Sequence, residues 1–542
     1  MSLFLSTWVG IGDVAHVAVT VSGDAATAAT EWTPVLVAEA VASRIAAKDS
    51  TLWGEDAEAE ANVRLGWTDL HVTSRSILDE LATLTEAVMA EGKTRVVLAG
   101  MGGSSLGPEV ICAAYDKPLV TLDSTDPDQV RDALSGDLES TIVVVSSKSG
   151  GTVETDSQRR AFEDAFEQSR LDPRQHIVIV TDRGSPLHKA AVDAGYRAIF
   201  LADPNVGGRF SVLGAFGLVP SALAGVPVAE LLDDADAVAE SFAEDEESNP
   251  VLVLGAAMAG SSRDKLVFSD GGSGLTGFAD WAEQLIAEST GKSGVGVLPV
   301  AAEPDAPEAG APDVIDVRLA PLDVEADSPD HGIVVAGTLG GQFLLWEYAT
   351  AVAGHLMRID PFNQPNVESA KKASRALLDS LPTPAAPTFV DDGIEVRALN
   401  LDLGDASTVT AALDALESTV GDRGYIAVMV YLDRGEFIDL PSVRRSIAAR
   451  TGRPTTFGWG PRFLHSTGQL HKGGAPIGVF LQITGTFAED LDIPGRPFTF
   501  GQLISAQAQG DATVLGEHSR PVLRLNLTDV SQVARVASLL KG

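Results

Sequence analysis

From about residue 94 onward, short β-branched runs alternate with segments whose apolar residues recur at helical spacing. The runs are TRVVLAG (94–100), PLVTL (118–122), TIVVV (141–145), HIVIVT (176–181) and AIFLA (198–202). Each is apolar throughout rather than alternating, as expected of strands buried on both faces of a parallel sheet. Strand and helix taking turns in this way predict a doubly wound, three-layer αβα unit of the flavodoxin-like kind.

A charged stretch, ESFAEDEESNP (240–250), leads into VLVLGAAMAG and LVFSD, which read as the opening strands of a second α/β unit. Pro, Ala and acidic residues dominate 301–313, predicting an exposed loop or insertion with too little apolar surface to hold a fold. LPTPAAPTFVDDG (381–393) is the clearest linker, and IEVRALNL, GYIAVMVYL and IGVFLQITG beyond it supply the strands of a C-terminal α/β segment. VLVAEAVASRIAAKDSTLW carries helical periodicity near the start. The expected division is therefore an N-terminal helical segment (1–60), a first α/β domain (61–240), a second (250–380) and a C-terminal α/β segment (393–542).

Composition narrows the function. The 542 residues carry a formal charge of −36, which repels phosphate backbones and anionic lipid, so nucleic acid and membrane surfaces are expected not to be partners. The lone cysteine, Cys112, can neither close an intramolecular disulfide nor build a multi-cysteine metal site. The first residues carry no basic region ahead of an apolar run, and no apolar stretch reaches transmembrane length, so a cytoplasmic protein is the expectation.

Two glycine- and hydroxyl-rich turns follow predicted strands. The first strand runs into Gly100-Met101-Gly102-Gly103-Ser104-Ser105-Leu106-Gly107-Pro108, where glycines let backbone approach a ligand and Pro108 suits a first helical turn. Ser105 stands where the dinucleotide fingerprint needs its last glycine. The third strand ends in Ser146-Ser147-Lys148-Ser149-Gly150-Gly151-Thr152-Val153-Glu154. At the C-terminal edge of a parallel sheet, such a loop can hold a phosphate through hydroxyls and backbone N–H groups. A Ser/Thr-capped turn would carry the same residues. Gly291-Lys292-Ser293 imitates the end of a P-loop, but Ile286 replaces that motif's first glycine. The histidines lack HxH and HExxH spacing, which disfavours a metal-dependent isomerase or hydrolase.

Five strings together resemble the glucose-6-phosphate isomerase family, whose sugar-isomerase (SIS) domains bind phosphosugars: MGGSSLGPEV, SSKSGGTVET, VGGRFSVLGAFGL, GFADWAEQLIAESTGK and IDPFNQPNVESAKK. The likeness covers most of residues 60–375. It resembles especially the isomerase half of transaldolase/glucose-6-phosphate isomerase fusion proteins, without a transaldolase half. The resemblance implies two SIS-type domains and an aldose–ketose isomerase that interconverts glucose 6-phosphate and fructose 6-phosphate through a cis-enediolate, with no metal or organic cofactor. It implies Glu288 as the carbon base and Arg209 as the guanidinium that stabilises the enediolate charge. Lys371 matches the family's ring-opening lysine, and Gln364 lies seven residues before it; Asn366 departs from the family's Gly or Ala. Ser147, Ser149 and Thr152 are the implied phosphate anchors, with the Lys148 backbone, Gly103 and Ser104 lining the sugar side.

The histidine of the resemblance is displaced. Family members carry it between the glutamate and lysine strings, where His331 is the candidate by order, while Leu464-His465-Ser466-Thr467-Gly468-Gln469 is similar to the LHSxGQ string around the catalytic histidine of some members. His465 is therefore the expected ring-opening residue, delivered by a rearranged C-terminal segment, with His471 a nearby competitor. The family's usual dimer implies a homodimer. A dual phosphoglucose/phosphomannose isomerase and a non-catalytic phosphosugar-binding SIS protein are the rival readings. Glutamine-dependent glucosamine-6-phosphate synthesis is not expected, since no N-terminal nucleophilic cysteine is present.

Overall fold

The chain opens on a hairpin, β1 (Phe4–Ile11) and β2 (Val14–Ser22), which corrects the expectation of a helical segment over residues 1–60. In β2 the buried residues Val17, Val19 and Val21 recur every second position, a strand period that the helical pattern further along overshadows. That pattern does occupy helices, at Gly23–Ala38 and Val41–Ala46. The computed structural model describes residues 3–11, 14–322, 329–380 and 386–542, and its strands gather into three sheets.

The first sheet contains β3 (Arg95–Gly100), β4 (Val120–Leu122), β5 (Thr141–Ser146), β6 (Ile177–Asp182) and β7 (Ala198–Ala202). All are parallel in the order β4-β3-β5-β6-β7. The strand order reverses direction between β3 and β5, and open α/β sheets bind ligands beyond the carboxyl ends of strands at such a point. Both glycine-rich turns of the sequence start there.

The second sheet is built on parallel β8 (Lys265–Asp270), β9 (Leu298–Ala301), β10 (Val314–Ala320) and β11 (Gly332–Gly337). β2 pairs antiparallel with β11, so this sheet is mixed, a parallel set carrying the β1–β2 hairpin at its edge. The apolar run at 251–260 is not a strand but part of helix Pro250–Ala259, capped by the Asn249 side chain, which accepts the Val251 N–H at 3.0 Å. This helix is buried on every side, so it has no polar face to betray its period.

The third sheet orders β12 (Phe389–Asp391), β13 (Ile394–Leu399), β14 (Tyr425–Tyr431), β15 (Thr455–Trp459), β16 (Gly478–Gly485) and β17 (Val522–Leu527) as β12-β13-β17-β16-β14-β15. It docks on the second through the acidic stretch expected to be an exposed loop. Glu308, 1 % exposed, meets Arg444 at 2.6 Å, and Asp313 meets Arg453 at 2.5 Å and Lys265 at 2.9 Å. The carboxylates are thus paired within the interface, the condition under which buried charge is tolerated. A shared apolar cluster, with Val267 and Val300 on one side and Met429, Phe463 and Leu470 on the other, completes that contact. Arg462 reaches Glu109 and Asp123 at 2.6 Å each and fastens the third sheet to the first. Among the described residues no helix is long and apolar enough to cross a membrane.

Candidate active site

Two glycine turns meet backbone to backbone after β3 and β7. A Cβ on Gly103 would lie 2.0 Å from the Gly208 carbonyl oxygen, so no other residue fits without moving one turn. Gly102 has φ +55°, and a Cβ there would come within 2.7 Å of the His465 carbonyl oxygen. The Gly103-Ser104 turn, the Gly207-Gly208-Arg209 turn and the His465 segment are therefore in direct contact. Ser104 is 9 % exposed at this junction.

Beyond β5 the Ser147–Thr152 loop enters helix Val153–Gln168, whose first-turn N–H groups lack intrahelical acceptors. Ser147 Oγ donates to Thr152 Oγ1 at 3.1 Å, and Ser149 Oγ accepts the Gly151 N–H at 3.2 Å, so the hydroxyls hold the loop curled over that helix end. The Lys148 ammonium turns aside to Asp182 at 2.6 Å and the Pro204 carbonyl at 3.3 Å, leaving its backbone on the loop. Hydroxyls and N–H groups at a helix start favour an oxyanion.

Glu288 lies in the last turn of helix Phe278–Thr290, 8 % exposed, with Oε2 3.5 Å from Arg209 Nη1. Arg209 is 4 % exposed and has its fork filled: Nε donates to Ser289 Oγ at 2.7 Å, Nη1 to Gln364 Oε1 at 3.0 Å, and Nη2 to the Pro361 and Asn363 carbonyls at 2.6 and 3.2 Å. Burial pulls its guanidinium below the ordinary arginine range, and the neighbouring Glu288 opposes that shift. A carboxylate beside a fixed cation in this setting can exchange protons with a bound carbon acid, while the cation meets charge on adjacent oxygens.

His465 arrives from the third sheet on the turn Arg462–His465. Its Nε2 lies 3.1 Å from Glu154 Oε1, and its carbonyl accepts Gln284 Nε2 at 2.7 Å, which also reaches Glu288 Oε2 at 3.3 Å. Glu154 Oε1 also accepts Gln507 Nε2 at 2.7 Å, and Gln507 Oε1 accepts Thr125 Oγ1 at 2.6 Å. A line of contacts therefore runs from the helix that follows the loop, through His465 and Gln284, to Glu288 and Arg209.

The other histidines lie elsewhere. His471, 2 % exposed, hydrogen-bonds Tyr425 Oη at 2.9 Å, and burial together with Lys472 and Arg520 pushes it down to about 3. His331 precedes β11 at the N-terminal edge of the second sheet and accepts the Asp24 N–H at 3.3 Å. Neither contacts Glu288 or Arg209.

Position 371 lies in helix Pro365–Ser380, but the Lys371 side chain lies outside the described residues. Gln469 holds the helix start. Its Oε1 accepts the Asn366 and Val367 N–H groups at 2.9 and 3.3 Å, and its Nε2 donates to Asn366 Oδ1 at 2.8 Å and the Gly291 carbonyl at 3.0 Å. Asn366, the departure noted in the sequence, is thus a partner of the histidine string. Lys292 ties down the preceding loop through the Asp360 and Asn363 carbonyls at 2.7 and 2.6 Å, and burial beside Arg209 pushes it well below the ordinary lysine range.

Sequence reasoning missed Gln284, Glu154, Gln469, Gln507 and the roles of Lys292 and Asn366. Glu154 and Gln469 lie inside quoted strings, so the strings marked them without saying what they touch. Gln507 sits far along the chain with no local motif.

The chain matches the family model for phosphoglucose isomerase over residues 61–293. It is 36 % identical over 212 residues to a glucose-6-phosphate isomerase of Cyanothece sp., covering 37 % of this chain and 40 % of that one. A probable glucose-6-phosphate isomerase of Haloarcula marismortui is 30 % identical over 339 residues, covering 52 % of this chain and 78 % of its own length. Among solved structures, a hypothetical protein of Thermus thermophilus superposes with TM-score 0.56 at 27 % identity, covering 65 % of this chain and 96 % of that one. A Chlamydia trachomatis glucose-6-phosphate isomerase shares the fold at TM-score 0.50 and 20 % identity, covering 57 % of this chain and 74 % of that one.

Proposed function

The chain belongs to the glucose-6-phosphate isomerase family, and from that premise we propose that it interconverts D-glucose 6-phosphate and D-fructose 6-phosphate. The phosphate sits in the Ser147–Thr152 loop, held by Ser147, Ser149, Thr152 and backbone N–H groups at the start of helix Val153–Gln168. Gly103 and Ser104 line the sugar side. His465, fixed by Glu154, exchanges a proton with the ring oxygen while Lys371 serves O1, breaking the C1–O5 bond and giving the open aldose.

Glu288 then removes the C2 proton. The C2–H electron pair forms the C1–C2 double bond, and charge moves to O1, where Arg209 stabilises it. Glu288 returns the proton to C1 while the O2 proton passes to O1 and the C2 carbonyl forms, so no hydrogen is gained or lost. Gln364, Ser289 and two carbonyls hold Arg209 so that it need not reorganise during the step.

The observation that carries this reading is the buried Glu288–Arg209 pair joined through Gln284 to His465. His465 is preferred over His471 and His331 because Gln284 links it to Glu288, whereas those two bond Tyr425 and the Asp24 backbone. A protein that only bound phosphosugars would have no use for a carbon base, which weighs against the non-catalytic alternative. Further proposals are a homodimer, action in the cytoplasm, and kinship with the isomerase half of transaldolase fusion proteins. A coupled assay with purified full-length chain tests the activity: glucose 6-phosphate and fructose 6-phosphate are expected to interconvert. Equal turnover of mannose 6-phosphate would favour the dual isomerase, and binding without turnover the sensor.

A further inference from the structure

A cavity of about 520 Å³ lies against the outer side of the phosphate loop. Ser147, Gly151 and Thr152 form one wall, and Arg160, Arg375 and Arg496 stand in the others. Neither Gly103, Arg209, Glu288 nor His465 lines it, so it extends the loop away from the site of carbon chemistry. In a chain of formal charge −36 this lining is positive: with Arg159 it holds four arginines against one carboxylate, Asp156. That carboxylate is already taken by Arg159, Arg160 and Arg496 at 2.7, 2.7 and 2.6 Å. Arginine presents five N–H donors, and Arg496 spends one on Asp156 and Arg160 one there and one on the Pro494 carbonyl. Two further lining residues, Thr155 and Arg159, carry buried polar atoms, Oγ1 and Nε, with no hydrogen-bond partner among the described residues.

We propose that this cavity receives the second phosphoryl group of a diphosphate whose first phosphoryl group occupies the Ser147–Thr152 loop. The inference rests on the reading of that loop as a phosphate seat. Two phosphoryl groups sharing one bridging oxygen, as in inorganic pyrophosphate or a nucleoside diphosphate, span the loop and the arginine wall. A sugar carrying phosphates at its two ends does not, because its second charge lies on the side of Glu288. Diphosphates are therefore competitors of the sugar phosphate, held by guanidinium forks suited to phosphoryl oxygens.

The test is calorimetric titration of the full chain with inorganic pyrophosphate, orthophosphate and fructose 1,6-bisphosphate at fixed ionic strength. Pyrophosphate is expected to bind about tenfold tighter than orthophosphate or better, a difference one charge-assisted contact supplies. In Arg375→Gln/Arg496→Gln that ratio falls to about one, while affinity for the sugar bisphosphate changes less than about twofold. The unchanged sugar-bisphosphate affinity shows that the double variant has not simply unfolded, and Arg496→Lys, which keeps the charge but loses the fork, is expected to keep part of the preference. Equal affinities in the wild type, or a preference that survives the double variant, would overturn the proposal. Turnover of glucose 6-phosphate by the wild type reports separately on the isomerase reading.

Discussion

Glu154→Gln removes the charge that faces His465 while keeping the size of the side chain. In the wild type, Glu154 Oε1 lies 3.1 Å from His465 Nε2 and 2.7 Å from Gln507 Nε2. An imidazolium and a carboxylate at that separation attract by about 5 kcal/mol at an effective dielectric of about 20, before desolvation is subtracted. Hydrogen bonds to charged partners retain about 1.5–3 kcal/mol net. A glutamine oxygen can accept from both His465 and Gln507, as Glu154 Oε1 does, but it carries no charge, so most of that stabilisation is lost when His465 gains a proton. The loss corresponds to a fall of about 10- to 100-fold in kcat. KM should stay within about twofold, since uniform phosphate binding is untouched. A coupled assay at saturating glucose 6-phosphate reads both constants. A kcat within about threefold of wild type would refute the assignment of His465 as a ring-opening group oriented by Glu154.

Ser147→Ala/Thr152→Ala should raise KM about tenfold or more with little change in kcat, because two phosphate contacts made equally in ground and transition states are lost; unchanged KM would count against the loop. His471, at about 3 in the fold against an ordinary value near 6.5, makes stability fall with acid. Below about pH 6.5 the unfolded chain takes up a proton that the folded one refuses, at up to about 1.4 kcal/mol per pH unit, until about pH 3. The thermal midpoint of His471→Gln should therefore decline less steeply than wild type between those limits, and parallel curves would refute the buried neutral histidine. Glu288, Arg209 and His465 stand on one chain, so an equimolar mixture of Glu288→Gln and His465→Ala proteins should stay inactive. Recovery toward about a quarter of wild-type activity would instead reveal sites shared between subunits.

The parallel strands of the first sheet were readable because each is a continuous apolar run bounded by turns, and β3 and β7 begin and end within a residue of their runs. Helix Pro250–Ala259 was not, since full burial erases the polar face that would reveal a 3.6-residue period. The hairpin at the start was lost behind the stronger helical signal that follows it. The acidic stretch around Glu308 looked solvated because its partners, Arg444 and Arg453, are more than a hundred residues away. The same limit applied to the site. Glu288, Arg209 and Gln364 could be singled out from local strings, and the fold brings them together through Arg209. What no string conveys is that His465, from a later sheet, meets Glu154 from the first and Gln284 from the second.

The most direct measurement follows hydrogen exchange between solvent and C2 of glucose 6-phosphate in Glu288→Gln. Loss of the carbon base should slow exchange by about 100-fold or more while the sugar phosphate still binds, since the loop and Arg209 remain. Exchange at the wild-type rate in that variant would show that another group handles the proton and would contradict the account.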